Sequence, residues 1–243
     1  METFNDSKTY AIFSTPANRR IINNLEKKGA KVFQFPLVET AIINDPTIFS
    51  FIENDLYQFD WLIFPDIFAV DYYLRILEMT DFDLFELDEK RILAMGESVS
   101  DRLRFSQIHS DLIPASINAD EIFSAISNYL KGNKLNEINF LFLKYRGFEN
   151  ELTYKLQEFK AKVKELEIYE ISGKNENARL KALIKGGAID EFIINSPEDL
   201  FSLKIYFTPV KLSELLSDIT FSATNDSSMQ TLLENNLNPK YFS

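Results

Sequence analysis

One pattern limits the possible folds of this chain more than any other: a short apolar run, a polar or glycine-bearing turn and an amphipathic stretch, repeated from end to end. Its first instance is Tyr10-Ala11-Ile12-Phe13, followed by Ser14-Thr15-Pro16, which offers N-cap hydroxyls with proline at the first helical position. Ile21, Ile22 and Leu25 then share one helical face, Lys27 and Lys28 suit a helix C-terminus, and Gly29 closes the helix. Residues 32–35 read as a second strand and complete a βαβ unit.

The same order of signals returns along the first half. Residues 61–64 read as a buried strand, leading through Pro65-Asp66 into a helix with Val70, Tyr73, Leu74 and Leu77. Residues 92–95 precede Gly96-Glu97-Ser98 and a short helix with Val99 and Leu103. Residues 111–114 read as another strand, and 119–130 as a helix with Ile122, Phe123 and Ile126 on one face.

The second half repeats the first. A strand over 138–143 meets the turn Tyr145-Arg146-Gly147, a helix marked by Leu152, Leu156 and Phe159, and a strand over 163–171. Ala161-Lys162-Val163 copies Ala30-Lys31-Val32; residues 190–194 with Asn195-Ser196-Pro197 mirror 60–64 with Pro65-Asp66; and 219–222, with a helix bearing Met229, Leu232 and Leu233, mirrors the unit that begins at Ile92. Three βα units in the same order, twice, predict two similar α/β domains with open, mostly parallel sheets. The length of 243 residues falls between one and two domains of about 150.

Around residues 35–39 and 167–172 the chain stays extended, without a Gly/Ser-rich linker. Two extended crossings predict that one domain is inserted in the other. Residues 1–36 with 172–243 would then form one domain and 37–171 the second, with the linker strands near 35–39 and 167–172.

Composition removes several classes of function. A net charge of −11 disfavours a phosphate backbone, so no nucleic-acid partner is expected. The absence of cysteine removes thiolate metal sites and cysteine nucleophiles, and a single histidine, His109, leaves little for histidine-based metal sites; no metal is expected. Neither a Walker loop nor a dinucleotide fingerprint is present. The N-terminus lacks the pattern of a secretory signal, and no apolar run approaches the roughly 18 residues of a membrane span. A soluble cytoplasmic protein without membrane contact is expected.

In open parallel sheets a ligand sits beyond the carboxyl ends of the strands, where helix N-termini present unpaired N–H groups. The turns placed there are Ser14-Thr15, Pro65-Asp66, Gly96-Glu97-Ser98, Tyr145-Arg146-Gly147, Asn195-Ser196-Pro197 and Ser222-Ala223-Thr224-Asn225. Their hydroxyls, amides and backbone donors suit carboxylate or phosphate groups.

These segments resemble the uroporphyrinogen-III synthase family, over residues 9–38, 59–73, 91–126, 139–171 and 189–200. The matching phrases include FSTPANRRIINNLEKKGAKVFQFPLVE, FDWLIFPDIFAV, ILAMGESVSDRL, FLFLKYRGFENELTYKL, VKELEIYEI and FIINSPEDL. The resemblance implies two flavodoxin-like domains joined by a two-stranded linker. It also implies closure of the linear tetrapyrrole hydroxymethylbilane to a macrocycle, with inversion of the last pyrrole ring and loss of water, by a monomer without metal or cofactor. Tyr169 in EIYEI matches the family's linker tyrosine, whose phenol helps the hydroxyl leave and is the catalytic candidate. Ser14, Thr15, Gly96, Ser98, Arg146, Asn195, Ser196, Thr224 and Asn225 are the corresponding candidates for substrate binding.

The chain departs from the family pattern at several of these turns. Pro65-Asp66 stands where a Thr-Ser-like pair is expected, Val99 where a threonine is usual, and Thr15 where an arginine often precedes the proline. The residues after Leu237 are too few for the family's last full strand and helix. Two readings follow: an active synthase of tetrapyrrole biosynthesis, or a non-catalytic member kept as a tetrapyrrole-binding or regulatory module. Structural roles also stand beside the functional ones. Ser14, Thr15, Thr224 and Asp66 are good helix caps, Tyr169 could pack between strands, Arg146 could start a helix, and His109 reads as a solvated loop residue.

Overall fold

The computed structural model describes residues 8–80, 82, 84–131, 135–172, 178–207 and 219–243. Its strands are β1 (Thr9–Phe13), β2 (Lys31–Phe35), β3 (Glu39–Ile42), β4 (Trp61–Phe64), β5 (Arg91–Ala94), β6 (Asn139–Tyr145), β7 (Lys162–Ser172), β8 (Glu191–Ile194), β9 (Thr220–Ala223) and β10 (Pro239–Tyr241). Its helices are α1 (Arg19–Lys27), α2 (Pro46–Asp55), α3 (Ile67–Glu78), α4 (Glu97–Phe105), α5 (Ala119–Leu130), α6 (Glu151–Glu158), α7 (Ala178–Lys185), α8 (Pro197–Phe207) and α9 (Asp226–Glu234). The chain divides into two compact units, one of Met1–Glu39 with Ser172–Ser243 and the other of Thr40–Ile171.

The first unit holds a five-stranded sheet in the order β10-β9-β8-β1-β2, with every neighbouring pair parallel. Counted along the chain this is the 2-1-3-4-5 order of flavodoxin-like sheets, with its switch point between β1 and β8. Strand β8 is buried at all four positions, as expected where helices cover both faces. Tyr10, Ile12, Ile22, Leu25 and Ile193 form one core layer under α1.

The second unit orders its strands β3-β7-β6-β4-β5, with β7-β6, β6-β4 and β4-β5 parallel. If the count starts at β6, this is the same 2-1-3-4 order, entered through β3 on the outer side of β7. Trp61, Ile63, Phe140 and Phe142 from the central strands pack with Ile122 and Ile126 of α5 and Leu152 and Leu156 of α6.

The repeat seen in the sequence extends to hydrogen bonds. Helix α1 ends with Gly29 at φ +81°, where Gly29 N–H reaches Glu26 O and Ala30 N–H reaches Leu25 O, each at 3.0 Å. Helix α6 ends the same way, with Lys160 at φ +66°, Lys160 N–H on Gln157 O at 2.8 Å and Ala161 N–H on Leu156 O at 3.1 Å. Both are Schellman caps that deliver the chain to the next strand. Likewise Asp190 Oδ2 accepts the Thr9 N–H that opens β1, at 2.7 Å, and Asp60 Oδ2 accepts the Asn139 N–H that opens β6, at 2.8 Å.

Two local expectations are corrected. Helix α1 begins at Arg19 rather than at Pro16: residues 16–18 form a turn in which Thr15 Oγ1 accepts Asn18 N–H at 3.2 Å and the Asn18 side chain turns inward onto the Phe13 carbonyl at 2.9 Å. Residues 111–114 do not form a strand; only Leu112 bridges Leu93, while Asp111 uses its carboxylate on Ile92 N–H and Pro114 has no N–H to give. After Leu237 the three-residue strand β10 pairs with β9, and Lys240 reaches Glu191 at 3.2 Å. Among the described residues no helix is long and apolar enough to cross a membrane.

Candidate active site

In the second unit the candidate residues collect at the carboxyl ends of β4, β5 and β6 and beside them on β7. A register shift between Lys144 and Tyr145 sets Tyr145 opposite Tyr169. Tyr169 is fully buried, stacked on Tyr72 with ring centroids 5.1 Å apart and met edge-on by Tyr145 at 5.9 Å. Its hydroxyl donates to Asp66 Oδ1 at 2.8 Å. That oxygen also accepts Ala69 N–H at 2.8 Å, because Asp66 lies extended at the N-cap of α3. Asp66 therefore caps a helix and holds the candidate catalytic phenol.

Burial, and then the Asp66 charge, hold Tyr169 well above the ordinary phenol value. The same two causes push Tyr145 up to about 12. Both phenols are hydrogen-bond donors, not phenolates, through the neutral range.

Arg146 follows directly, with its N–H on the Tyr169 carbonyl at 2.8 Å. Its guanidinium is exposed and pairs with Glu170 at 2.8 Å and more distantly with Glu167 at 3.9 Å. A substrate carboxylate would have to compete with these two acids, which the sequence spacing does not reveal. Gly96 opens α4 at φ 114°, buried and without a side-chain cap, so Glu97 and Ser98 occupy a first helical turn of the kind that suits an anion. Met95 N–H on Phe64 O at 3.0 Å keeps this turn beside Pro65-Asp66.

In the first unit three candidates meet. Thr224 and Asn195 hydrogen-bond through their side chains, and Asn225 Nδ2 donates to Asn195 O at 2.9 Å and to Thr224 Oγ1 at 3.1 Å. Asn225 also caps α9 through Ser228 N–H at 2.9 Å. Ser196 precedes α8, with its hydroxyl 3.4 Å from Asp199 N. Ser14 and Thr15 have other partners: the Ser14 hydroxyl faces Gln34 at 3.4 Å and Thr15 Oγ1 accepts Asn18 N–H at 3.2 Å. Two buried residues escaped the sequence reading, Asn18 and Asp199, which join the turn after β1 to the start of α8 at 3.3 Å. Asp199 was signalled by its place three residues after Ser196, the spacing of a capping box.

His109 is exposed and lines a cavity of about 810 Å³ with Leu77, Lys90, Arg91 and Asp111, at the amino end of β5 and so at the opposite end of the sheet from Tyr169. Among the described residues no group of three or more His, Asp or Glu could hold a metal ion.

Comparison with known proteins decides the family. The profile of uroporphyrinogen-III synthase HemD matches residues 19–243. The chain belongs to the uroporphyrinogen-III synthase family. Family members are cyclising lyases of tetrapyrrole biosynthesis, with a small-molecule tetrapyrrole as substrate. Two solved synthases have a similar fold: a mutant uroporphyrinogen III synthase from the extremely thermophilic bacterium Thermus thermophilus, with 17% identity and a TM-score of 0.66, and a second structure of the Thermus thermophilus enzyme, with 18% identity and a TM-score of 0.63. In each comparison 97% of this chain and 92% of the other are covered. At that identity the likeness speaks for the fold alone. No curated protein matches the chain by sequence.

Proposed function

We propose that this member of the uroporphyrinogen-III synthase family closes hydroxymethylbilane to uroporphyrinogen III, inverting the last pyrrole ring and expelling water. The observation that carries the reading is the family match, which runs through both sheets from residue 19 to 243. No observation favours a non-catalytic module: Asp66, the most conspicuous departure, is engaged by the Tyr169 hydroxyl and by Ala69 N–H.

In this reading Tyr169 is the catalytic residue. Leaving of the hydroxyl needs a hydrogen bond or proton on the departing oxygen, and a buried phenol kept protonated by its surroundings can supply one. Asp66 holds that phenol when no substrate is bound and yields it to the leaving group. Arg146 meets a substrate carboxylate in exchange for Glu170, and the first turn of α4 at Gly96 and Ser98 meets another. Asn195, Ser196, Thr224 and Asn225, with Ser14 and Thr15, are proposed as further substrate-binding residues. The domains are proposed as 1–36 with 172–243 and as 37–171, joined by strands near 35–39 and 167–172. The enzyme is proposed to work as a cytoplasmic monomer without metal or cofactor.

The test is the protein in a coupled reaction with hydroxymethylbilane synthase. Type III isomer above the spontaneous type I background supports the reading. Type I alone, at the uncatalysed rate, overturns it.

A further inference from the structure

Asn18 and Asp199 are fully buried, 0% and 1% exposed. The orientation of the Asn18 amide is fixed, because Nδ2 gives one hydrogen to the Phe13 carbonyl at 2.9 Å and the other to Asp199 Oδ2 at 3.3 Å. Turning the amide over would set its oxygen against the Phe13 carbonyl oxygen. Asp199 Oδ2 accepts a second donor, Asn195 N–H, at 2.9 Å. With an ionised carboxylate the accounting fails at two atoms. Asn18 Oδ1 and Asp199 Oδ1 are both buried acceptors with no donor. Each such orphan is costly, and an amide oxygen cannot satisfy a carboxylate oxygen. A proton on the acid would supply the donor that this pair of acceptors lacks.

The geometry points to Asp199 as a neutral carboxylic acid paired with Asn18: Asp199 Oδ1–H donates to Asn18 Oδ1 while Asn18 Nδ2 donates to Asp199 Oδ2. This cyclic acid–amide pair fastens the turn after β1 to the turn after β8. Burial favours the neutral acid, as does the neighbouring charge of Glu198, against the donors Asn195 N–H, Asn18 Nδ2 and Ser196. The groups that reach Asp199 from the two turns, Asn18, Asn195 and Ser196, are all uncharged. Asp199 is thus a positioning residue. Through Asn18 and the Phe13 carbonyl it places Ser14 and Thr15, and through Asn195 N–H it places Asn195 and Ser196. The consequence for substrate rests on the proposed function; the proton does not.

Two measurements on the full chain separate these parts. Carbon NMR of the aspartate carboxyl groups, with the Asp199 line assigned by its loss in D199N, is expected to show an acid still protonated at a pH where an ordinary aspartate carboxyl is ionised. A carboxylate shift at that pH overturns the pair, whether or not the protein is active. In the coupled assay D199A is expected to raise KM about tenfold with a smaller change in kcat. D199N places an amide N–H where the acid O–H stood and is expected to restore KM to within about twofold. A D199N variant as impaired as D199A, or a D199A variant with unchanged KM, overturns the positioning role. If wild-type protein makes no type III isomer, the functional reading fails and the carbon shift still decides the pair.

Discussion

The Tyr169 phenol has one hydrogen to donate, and in the free protein Asp66 receives it. Two substitutions separate the roles of this contact. Tyr169→Phe removes the donor and keeps the ring stack on Tyr72, so kcat is expected to fall about 100-fold, with a stability loss near 1 kcal/mol measured by denaturant unfolding. A loss of activity no larger than the loss of folded protein would make Tyr169 a packing residue. Asp66→Asn keeps an acceptor for both N–H and O–H but removes the charge. The Tyr145 value near 12 is therefore expected to fall in that variant, as read by ultraviolet titration, since the Asp66 charge is one of its two causes. Asp66→Ala also removes the α3 cap and is expected to lose about 1–2 kcal/mol of stability. These contacts were only half legible. The sequence places Asp66 at a cap, but a link between residues 103 positions apart becomes visible only when β7 lies beside β6 and β6 beside β4.

At the scale of elements, the two Schellman caps offer a controlled comparison, because the same backbone conformation carries glycine in one and lysine in the other. Gly29→Ala is expected to destabilise by about 1 kcal/mol, and Lys160→Gly to stabilise by about 0.5–1 kcal/mol; thermal unfolding checks both signs. A second element-scale device joins four strands of the first unit. Glu191 on β8 accepts from Ser222 of β9 at 2.5 Å, from Lys8 before β1 at 3.0 Å and from Lys240 of β10 at 3.2 Å. Burial pushes the Glu191 carboxyl up, but these three donors together outweigh it and leave its value below the ordinary one. The stability it adds is therefore complete above the ordinary glutamate value and lost as pH falls through its lowered one. Glu191→Gln is expected to cost about 1–3 kcal/mol near neutrality and to flatten the acid limb of the stability profile. An unchanged acid limb would remove Glu191 from the account. The start of α1 and the lost strand at 111–114 depend on contacts that local periods do not specify: the Asn18 side chain turns to the Phe13 carbonyl and to Asp199, and the Asp111 carboxylate takes Ile92 N–H.

Over the whole molecule, the repeated units were legible because parallel strands buried on both faces must be apolar throughout and their crossover helices must be amphipathic. Trp61–Phe64 and α5, Ala119–Leu130, fall where those periods put them. The circular order within the second sheet is less visible, since it follows from where the chain enters and not from any local propensity. The negative net charge argued against nucleic acid but said little about an anionic substrate, for which the local groups at Arg146, Asp66 and the α4 turn matter more. The central claim is the direction of ring closure. It is tested most directly by the isomer composition of the uroporphyrinogen formed when the purified protein meets freshly generated hydroxymethylbilane. The account predicts predominantly type III at a rate proportional to protein concentration; type I alone, at a rate independent of protein, would contradict it.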